Sequence, residues 1–475
     1  MDLIYQRVHQ HKLEALFLFS LLFIFLGLYL DQVVFFAVPI LGIILIVLVK
    51  NIAWAYYLFF LLMPFSIEVD LPGGLATDFP TEQLMWFLTV FGTLAFLFKA
   101  DQSSISKFAS PITITLVLHI LWIGISIVSS THWVISLKWF LAKLWYIIPF
   151  YFGAYYFIPN YEKFIKILQL TFWPLLGVVI WILFRHYGHS FSFETSNIVV
   201  YPIFRNHVNS ASTMVLFLPF VWLLFQTTQK QLLKWVYGFA LLVFIMGIYF
   251  SYTRVAILCL PIALAMYFIV RYTLIKWALI AATIFFGTVI YFVATNNRYV
   301  NFAPNFEKTI SHTEFDNLLE ATYKLEDIST MERVYRWVAG AHMLKERPLL
   351  GFGPATFYTN YKDYTVRIFE TYVSNNPDQS GIHSYYLMTA VEQGLVGLII
   401  LLTMIAVILL IGEKVYHQCT NTLAKNSIAA CIVSIVIILV INLINDTLEV
   451  DKIGPYFFTA MAIIGMEYGR QQQSK

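Results

Sequence analysis

The sequence has few charged side chains. Only 12% of its 475 residues are Asp, Glu, Lys or Arg, about half the share of an ordinary soluble protein, whereas 59% are hydrophobic. No soluble fold of this size could bury so much apolar surface. The formal net charge of +3 is too small to favour nucleic acid as a partner. The composition therefore indicates a membrane protein.

Cysteine is also scarce. Two of the three cysteines, Cys259 and Cys431, lie in apolar runs, and Cys419 lies in a short loop. The long polar segment at 295–383 has none, which excludes a disulfide framework and a thiolate zinc site there. No paired histidines suggest another metal, so we expect no cofactor.

Long hydrophobic runs are abundant, and many approach the length needed to cross a bilayer. Because lipid offers no partner for backbone N–H and C=O groups, such runs form helices. We predict an all-α polytopic integral membrane protein with 12 to 14 transmembrane helices. The candidate spans are 13–30, 33–49, 52–66, 84–98, 111–129, 140–157, 167–184, 213–226, 235–250, 255–270, 277–293, 395–412, 427–444 and 454–467. No small-residue cleavage site follows the first run, which is therefore not a signal peptide.

The distribution of Lys and Arg orients these spans. With the N-terminus inside, fifteen fall in cytoplasmic segments and five in short outer loops, which supports cytoplasmic termini. The predicted organisation is spans one to eleven in 1–294, a large extracytoplasmic loop in 295–383, and the last spans in 384–475. Within the loop, 331–347 has apolar residues at helical spacing and predicts an amphipathic helix on the membrane surface.

Arg254 lies at the outer mouth of a predicted span, where the charge rule disfavours a cation. Arg333 and Arg336 lie one turn apart on the loop helix. A guanidinium can bind two phosphate oxygens at once, which suits a pyrophosphate at the membrane surface. The alternatives are an interfacial anchor for Arg254, and a solvated face pairing with Glu332 or headgroups for the loop arginines.

His383 lies where the long loop re-enters the membrane. Histidine is suited to take a proton from a sugar hydroxyl near neutral pH, although a lone histidine is usually structural. Downstream, Gly394 and Gly397 would let another helix approach closely.

Other candidates are weaker. Arg205, His207 and Lys143 could contact a substrate, although Lys143 could also extend towards the membrane surface. Glu392 lies in an apolar helix and could orient a neighbouring helix or base. The acidic residues Asp446, Glu449 and Asp451 could hold a cation or form a solvated loop.

Three motifs together resemble those of the O-antigen ligase superfamily, which also contains O-antigen polymerases and protein O-oligosaccharyltransferases. His383-Ser384, nine residues, Gly394, two residues and Gly397 resemble its histidine signature. Arg254, three residues and Leu258 resemble a second signature, and 333–357 is similar to its loop pattern. The resemblance covers about 235–412.

The resemblance implies a GT-C-type membrane glycosyltransferase that needs no metal. It would move a glycan from undecaprenyl pyrophosphate to a hydroxyl on the periplasmic side of the bacterial inner membrane. Arg254 and Arg333 would hold the pyrophosphate, and His383 would activate the acceptor. A lipid A core as acceptor makes the protein an O-antigen ligase; a second lipid-linked glycan makes it a polymerase. A polysaccharide transporter is disfavoured, because functional charges in transporters usually lie near the bilayer midplane.

Overall fold

The computed structural model describes residues 50–71, 75–99, 108–295, 299–300, 303, 328–371, 374–376 and 380–473. Its α-helices are α1 Ile52–Leu62, α2 Thr81–Lys99, α3 Pro111–Val128, α4 Trp133–Ile147, α5 Ala154–Phe157, α6 Tyr161–Gly188, α7 Ser196–Val200, α8 His207–Thr227, α9 Gln231–Phe250, α10 Arg254–Arg271, α11 Ile275–Ala294, α12 Ile328–Glu346, α13 Phe357–Asn360, α14 Tyr385–Gln418, α15 Thr422–Ile441 and α16 Gly454–Gln473. Contacts divide the chain into Met1–Leu58 and Phe59–Lys475, and the candidate site lies wholly within the second unit.

The predicted all-α polytopic class is confirmed. Within the described residues, ten helical segments are long and apolar enough to cross a membrane. They are Thr81–Phe98, Pro111–Val128, Trp133–Phe157, Tyr161–Gly188, His207–Thr227, Gln231–Phe250, Arg254–Arg271, Ile275–Ala294, Tyr385–Gln418 and Thr422–Ile441. The predicted spans 13–30 and 33–49 lie outside the described residues.

The two remaining predicted spans form helices outside this group of ten. The span predicted at 52–66 is a shorter apolar helix, Ile52–Phe65. The span predicted at 454–467 begins the helix α16, whose second half is polar and ends in three glutamines. All of its first thirteen residues are buried, so α16 packs as a core helix.

A short β-hairpin interrupts the helices. Strand β1 (Ile67–Leu71) pairs antiparallel with β2 (Leu75–Phe79), with Ile67 opposite Phe79. The sequence analysis, which followed long apolar runs, did not predict it. Five-residue strands give too weak a periodic signal beside the neighbouring spans, although the intervening Pro-Gly-Gly is typical of a turn.

The helices α15 and α11 show opposite degrees of burial. The helix α15 is apolar on all sides and packs against α8, α10, α14 and α16, as expected of a helix at the centre of a bundle. In α11 only Ile275 is buried, where its N–H donates to Glu413 Oε1 at 2.9 Å. The rest of α11 exposes aromatic and aliphatic side chains, which suit contact with lipid.

The loop helix predicted at 331–347 lies at Ile328–Glu346. Its apolar side packs into a cluster that includes Tyr335, Val338 and Met343, together with Phe352 from the following loop and Ile382 beside His383. The cluster therefore joins α12 to the chain that enters α14.

Candidate active site

His383 lies in the turn immediately before α14, and its backbone is in the left-handed region, with φ of 55°. A non-glycine residue there is strained and persists only where the surroundings hold it. The two preceding carbonyls are held by α12. Trp337 Nε1 donates to the Ile382 oxygen at 3.0 Å, and Arg336 Nη1 donates to the Gly381 oxygen at 3.2 Å. The conformation of His383 thus depends on packing between α12 and α14.

The chain after His383 is held from the opposite direction. The Tyr385 N–H donates to the carbonyl oxygens of Asn442 and Asn445, at 3.0 and 2.9 Å, where α15 ends. The Ser384 hydroxyl accepts from the Leu387 N–H at 3.4 Å and caps α14. His383 is therefore fixed on both sides of its own residue.

Asp446 lies beside His383. Asp446 Oδ1 is 3.9 Å from His383 Nδ1, which is ion-pair range and too long for a hydrogen bond. Both side chains are 29% exposed, so the pair is open to a bound molecule. Sequence reasoning placed Asp446 only in an acidic loop, because the loop after α15 reaches His383 through tertiary packing alone.

The electrostatic environment keeps His383 neutral. Burial, followed by the positive charges of Arg333 and Arg336, lowers the pKa of His383 to about 3. Burial and the negative charge of the nearby Glu449 raise the pKa of Asp446, whereas the positive charges of the same two arginines lower it. At neutral pH the imidazole is therefore unprotonated and has a free lone pair.

The two loop arginines occupy different environments. Arg336 is 5% exposed and binds Glu332 at 3.4 Å as well as Gly381, so its guanidinium is enclosed by protein. Arg333 is half-buried, and its Nη1 donates to Ser329 Oγ at 2.9 Å. Of the two, Arg333 is the one placed to meet a bound anion.

Arg254 is the first residue of α10. Two residues earlier, the backbone of Tyr252 is in the left-handed region, with φ of 56°. His207, the first residue of α8, lies beside it, because His207 Nδ1 is 2.7 Å from the Ser251 carbonyl oxygen and 3.2 Å from Thr253 Oγ1. A carbonyl only accepts, so Nδ1 carries the hydrogen and Nε2 is the acceptor in the neutral ring.

Arg333 connects the two parts of the site. Its charge acts on His383 and on His207, and the charge of Arg254 also acts on His207. We call Arg254 and His207 the α8–α10 side, and His383 and Asp446 the α14 side. The three residues predicted to be catalytic are thus linked through the electrostatic effect of Arg333 on both histidines.

The motif glycines explain how the loop after α12 meets α14. Gly394 interrupts α14 with φ of 73° and ψ of 177°, and an added Cβ would lie 2.0 Å from the Leu349 oxygen. The interruption frees carbonyls: Val391 accepts from Phe352 N–H at 3.0 Å, and Glu392 accepts from the Gly353 N–H at 2.8 Å. Only glycine allows this backbone-to-backbone approach.

The Glu392 carboxylate strengthens the same junction. It is 2% exposed and accepts from the backbone N–H groups of Ala355 and Phe357, at 2.8 and 3.1 Å. Nearby, Trp122 Nε1 donates to the Gln393 oxygen at 2.9 Å, and Trp122 lies against Gly397. Glu392 therefore binds the loop, and Gly397 accommodates α3.

The remaining two sequence candidates, Arg205 and Lys143, have different surroundings. Arg205 is exposed, in the turn before α8. Lys143 is 1% exposed and binds Glu449 and Tyr385 inside the bundle, so its ammonium is not at an open surface where a substrate could reach it. In the part of the chain that the structure describes, no group of three or more His, Cys, Asp or Glu is placed to hold a metal ion.

Residues 239–402 match the family model described as O-Antigen ligase. The matched segment runs from α9 into α14 and contains Arg254, Arg333, His383 and both motif glycines. No curated protein matches the chain. The match confirms the resemblance seen in the three motifs: residues 239–402 of this multi-pass membrane protein are similar to the O-antigen ligase family.

Proposed function

We propose that the protein transfers a glycan from a polyprenyl pyrophosphate, most simply undecaprenyl pyrophosphate, to an acceptor hydroxyl at the outer face of the bacterial inner membrane. The observation that carries this proposal is the position of Arg333. Its charge acts both on the α8–α10 side and on His383. This effect is what we expect if guanidinium groups bind the leaving diphosphate while an imidazole takes the proton of the incoming alcohol.

In the proposed reaction the acceptor oxygen attacks the anomeric carbon while the bond from that carbon to the pyrophosphate oxygen breaks. The configuration at the anomeric carbon inverts. Arg254 and Arg333 bind the departing pyrophosphate, whose negative charge grows as the bond breaks. His383 accepts the hydroxyl proton and later releases it to the pyrophosphate or to water. Cleavage of the bond between the sugar and its pyrophosphate leaving group supplies the driving energy, so no ATP is needed.

Donor binding would also prepare the base. A group with a pKa of about 3 accepts a proton poorly from a sugar hydroxyl. The arginine charges that contribute to this low pKa are offset when an anionic pyrophosphate binds them, and the pKa of His383 then rises. The donor would therefore bind before His383 becomes an effective base, which protects the site from transferring a proton without a donor.

The side of the membrane follows from charge. The excess of Lys and Arg in the predicted inner loops supports cytoplasmic termini and a periplasmic site. The proposed acceptor is the lipid A core, which makes the protein an O-antigen ligase. A polymerase is the second candidate, because it uses the same donor and transfers to a second lipid-linked glycan.

Deletion of the gene, followed by a gel of the surface lipopolysaccharide, tests both candidates. Loss of a ligase leaves core without repeats and polymer stranded on its lipid carrier. Loss of a polymerase leaves core bearing single repeats. Unchanged lipopolysaccharide, exopolysaccharide and carrier-linked glycan in the deletion strain would reject the proposal.

A further inference from the structure

Lys143 lies inside the bundle on α4, far along the chain from the motif residues. Its ammonium donates to Tyr385 Oη at 2.5 Å and to the Glu449 carboxylate. Tyr385 Oη in turn donates to Glu449 Oε1 at 3.0 Å. The three side chains form a closed triangle that joins α4, the first residue of α14 and the loop between α15 and α16.

The triangle borders both groups of the α14 side. Tyr385 follows His383 by two residues, and Glu449 follows Asp446 by three. The backbone of Glu449 is held as well, because Tyr146 Oη donates to its carbonyl oxygen at 2.6 Å. The Lys143 ammonium therefore binds side chains from two segments that are distant in sequence, the start of α14 and the loop between α15 and α16.

We propose that Lys143 is a positioning residue, which ties Tyr385 and Glu449 to α4 and so holds His383 and Asp446 beside each other. This inference rests on the proposed function. It assigns Lys143 a role through other residues, in place of the direct substrate contact considered from the sequence. The left-handed backbone of His383 is consistent with it, because such a conformation needs restraint from its neighbours.

A second buried pair on the same loop offers a matched control. Lys452 Nζ lies 3.4 Å from Asp451 Oδ2, and both residues are at most 4% exposed. This pair binds the Ser66 carbonyl and hydroxyl, so it fastens the loop to the start of the β-hairpin instead of to Tyr385. It is also a lysine–carboxylate pair, but it lacks the link through Tyr385 to His383.

The decisive variant is Lys143→Met with Glu449→Gln. Lys143→Met alone would remove the cation that partners the Glu449 carboxylate and could prevent folding, whereas replacing both partners is often tolerated. In the double variant, kcat per folded protein should fall about a hundredfold, because small displacements of reacting groups have effects of that size. The KM for the donor should stay within about threefold, because Arg254 and Arg333 are unchanged.

A more conservative variant covers the case in which the double variant does not accumulate. Tyr385→Phe removes only the hydroxyl that Lys143 holds and leaves the charges paired, and we expect about a tenfold loss of kcat. The control, Lys452→Met with Asp451→Asn, should keep kcat within about threefold.

The kinetic assay distinguishes failure of the proposed function from failure of the positioning role of Lys143. Wild-type protein that transfers no glycan from a lipid-pyrophosphate donor would reject the proposed function. Active wild-type protein together with unchanged kcat in the double variant, or in Tyr385→Phe, would reject the positioning role of Lys143 alone.

Discussion

On the α8–α10 side, Arg254 is the first residue of α10 and His207 is the first residue of α8. His207 contacts the Ser251–Thr253 turn, which directly precedes Arg254. On the α14 side, His383 lies in a strained turn whose neighbours are held by α12 and by the end of α15. The geometry of the α8–α10 side requires only a tight turn and a neighbouring helix end. The other depends on several elements that are far apart in the sequence.

The difference suggests how each side tolerates change. A helix start is specified locally, so substitutions around Arg254 should act mainly through the chemistry of the side chain that is replaced. The position of His383 depends on distant contacts, so substitutions far from it should also reduce transfer. Four predictions follow this contrast, in order of decreasing expected effect.

Replacement of His383 tests the chemistry of the α14 side. His383→Ala should lower kcat about a thousandfold, because a positioned general base contributes 10²–10⁴ in rate. The protein should remain in the membrane and still bind the lipid-pyrophosphate donor, because the arginines are intact. Kinetics with purified protein and a donor-binding assay measure the two effects. His342→Ala, which alters a histidine on α12 that contacts the Tyr364 carbonyl, is the control. Normal surface polysaccharide in a strain with only His383→Ala would contradict the mechanism.

Replacement of Arg254 tests the α8–α10 side. Arg254→Ala should lower kcat/KM about a hundredfold, equivalent to about 3 kcal/mol of lost stabilisation of the leaving group. Arg254→Lys should recover little, because an ammonium cannot bind two phosphate oxygens in the planar geometry of a guanidinium. Arg205→Ala, at an exposed position in the turn before α8, should stay within about threefold. Equal activity of the Lys and Arg proteins would show that bidentate binding is not required.

Replacement of Gly394 tests whether the α14 side depends on distant packing. Gly394→Ala should lower the free energy of unfolding by at least about 2 kcal/mol, because the residue has a positive φ and its new Cβ would meet the Leu349 carbonyl. Thermal unfolding in detergent measures the change. Gly92→Ala is the matched control, because a Cβ there meets nothing within 4 Å and alanine favours the helix. Equal melting temperatures for the two variants would contradict the described junction.

Replacement of Asp446 should have the smallest effect. Asp446→Asn should lower kcat about tenfold, because a carboxylate at ion-pair distance stabilises the protonated form of His383. The pKa of Asp446 is raised, so wild-type activity should fall as the pH decreases through that pKa. His383, with its pKa of about 3, remains neutral over this range before the donor binds. The Asp446→Asn variant should lack this loss of activity at low pH, which is the acid limb of the pH–rate profile. A pH–rate profile with the same limb in both proteins would exclude Asp446 from the step.

Much of the fold followed from hydropathy, because a spanning helix must be long and apolar whatever its neighbours are. The β-hairpin did not, because its strands have only five residues each and give a weak periodic signal. The burial of α16 on all sides also depended on the helices around it. Within the site, the motifs indicated Arg254, Arg333 and His383, each marked by a residue type that is unexpected in its position.

The sequence by itself determined a polytopic helical protein with guanidinium and imidazole groups near helix ends, because hydrophobic length and unusual charges are local properties. Only the tertiary structure decided which of these groups meet. It enclosed Arg336 and Lys143 in protein, brought Asp446 to His383, and explained Gly394 by a carbonyl from the loop after α12. Such contacts join residues from about 45 to more than 300 positions apart, and their energies depend on a packed geometry that no single segment specifies.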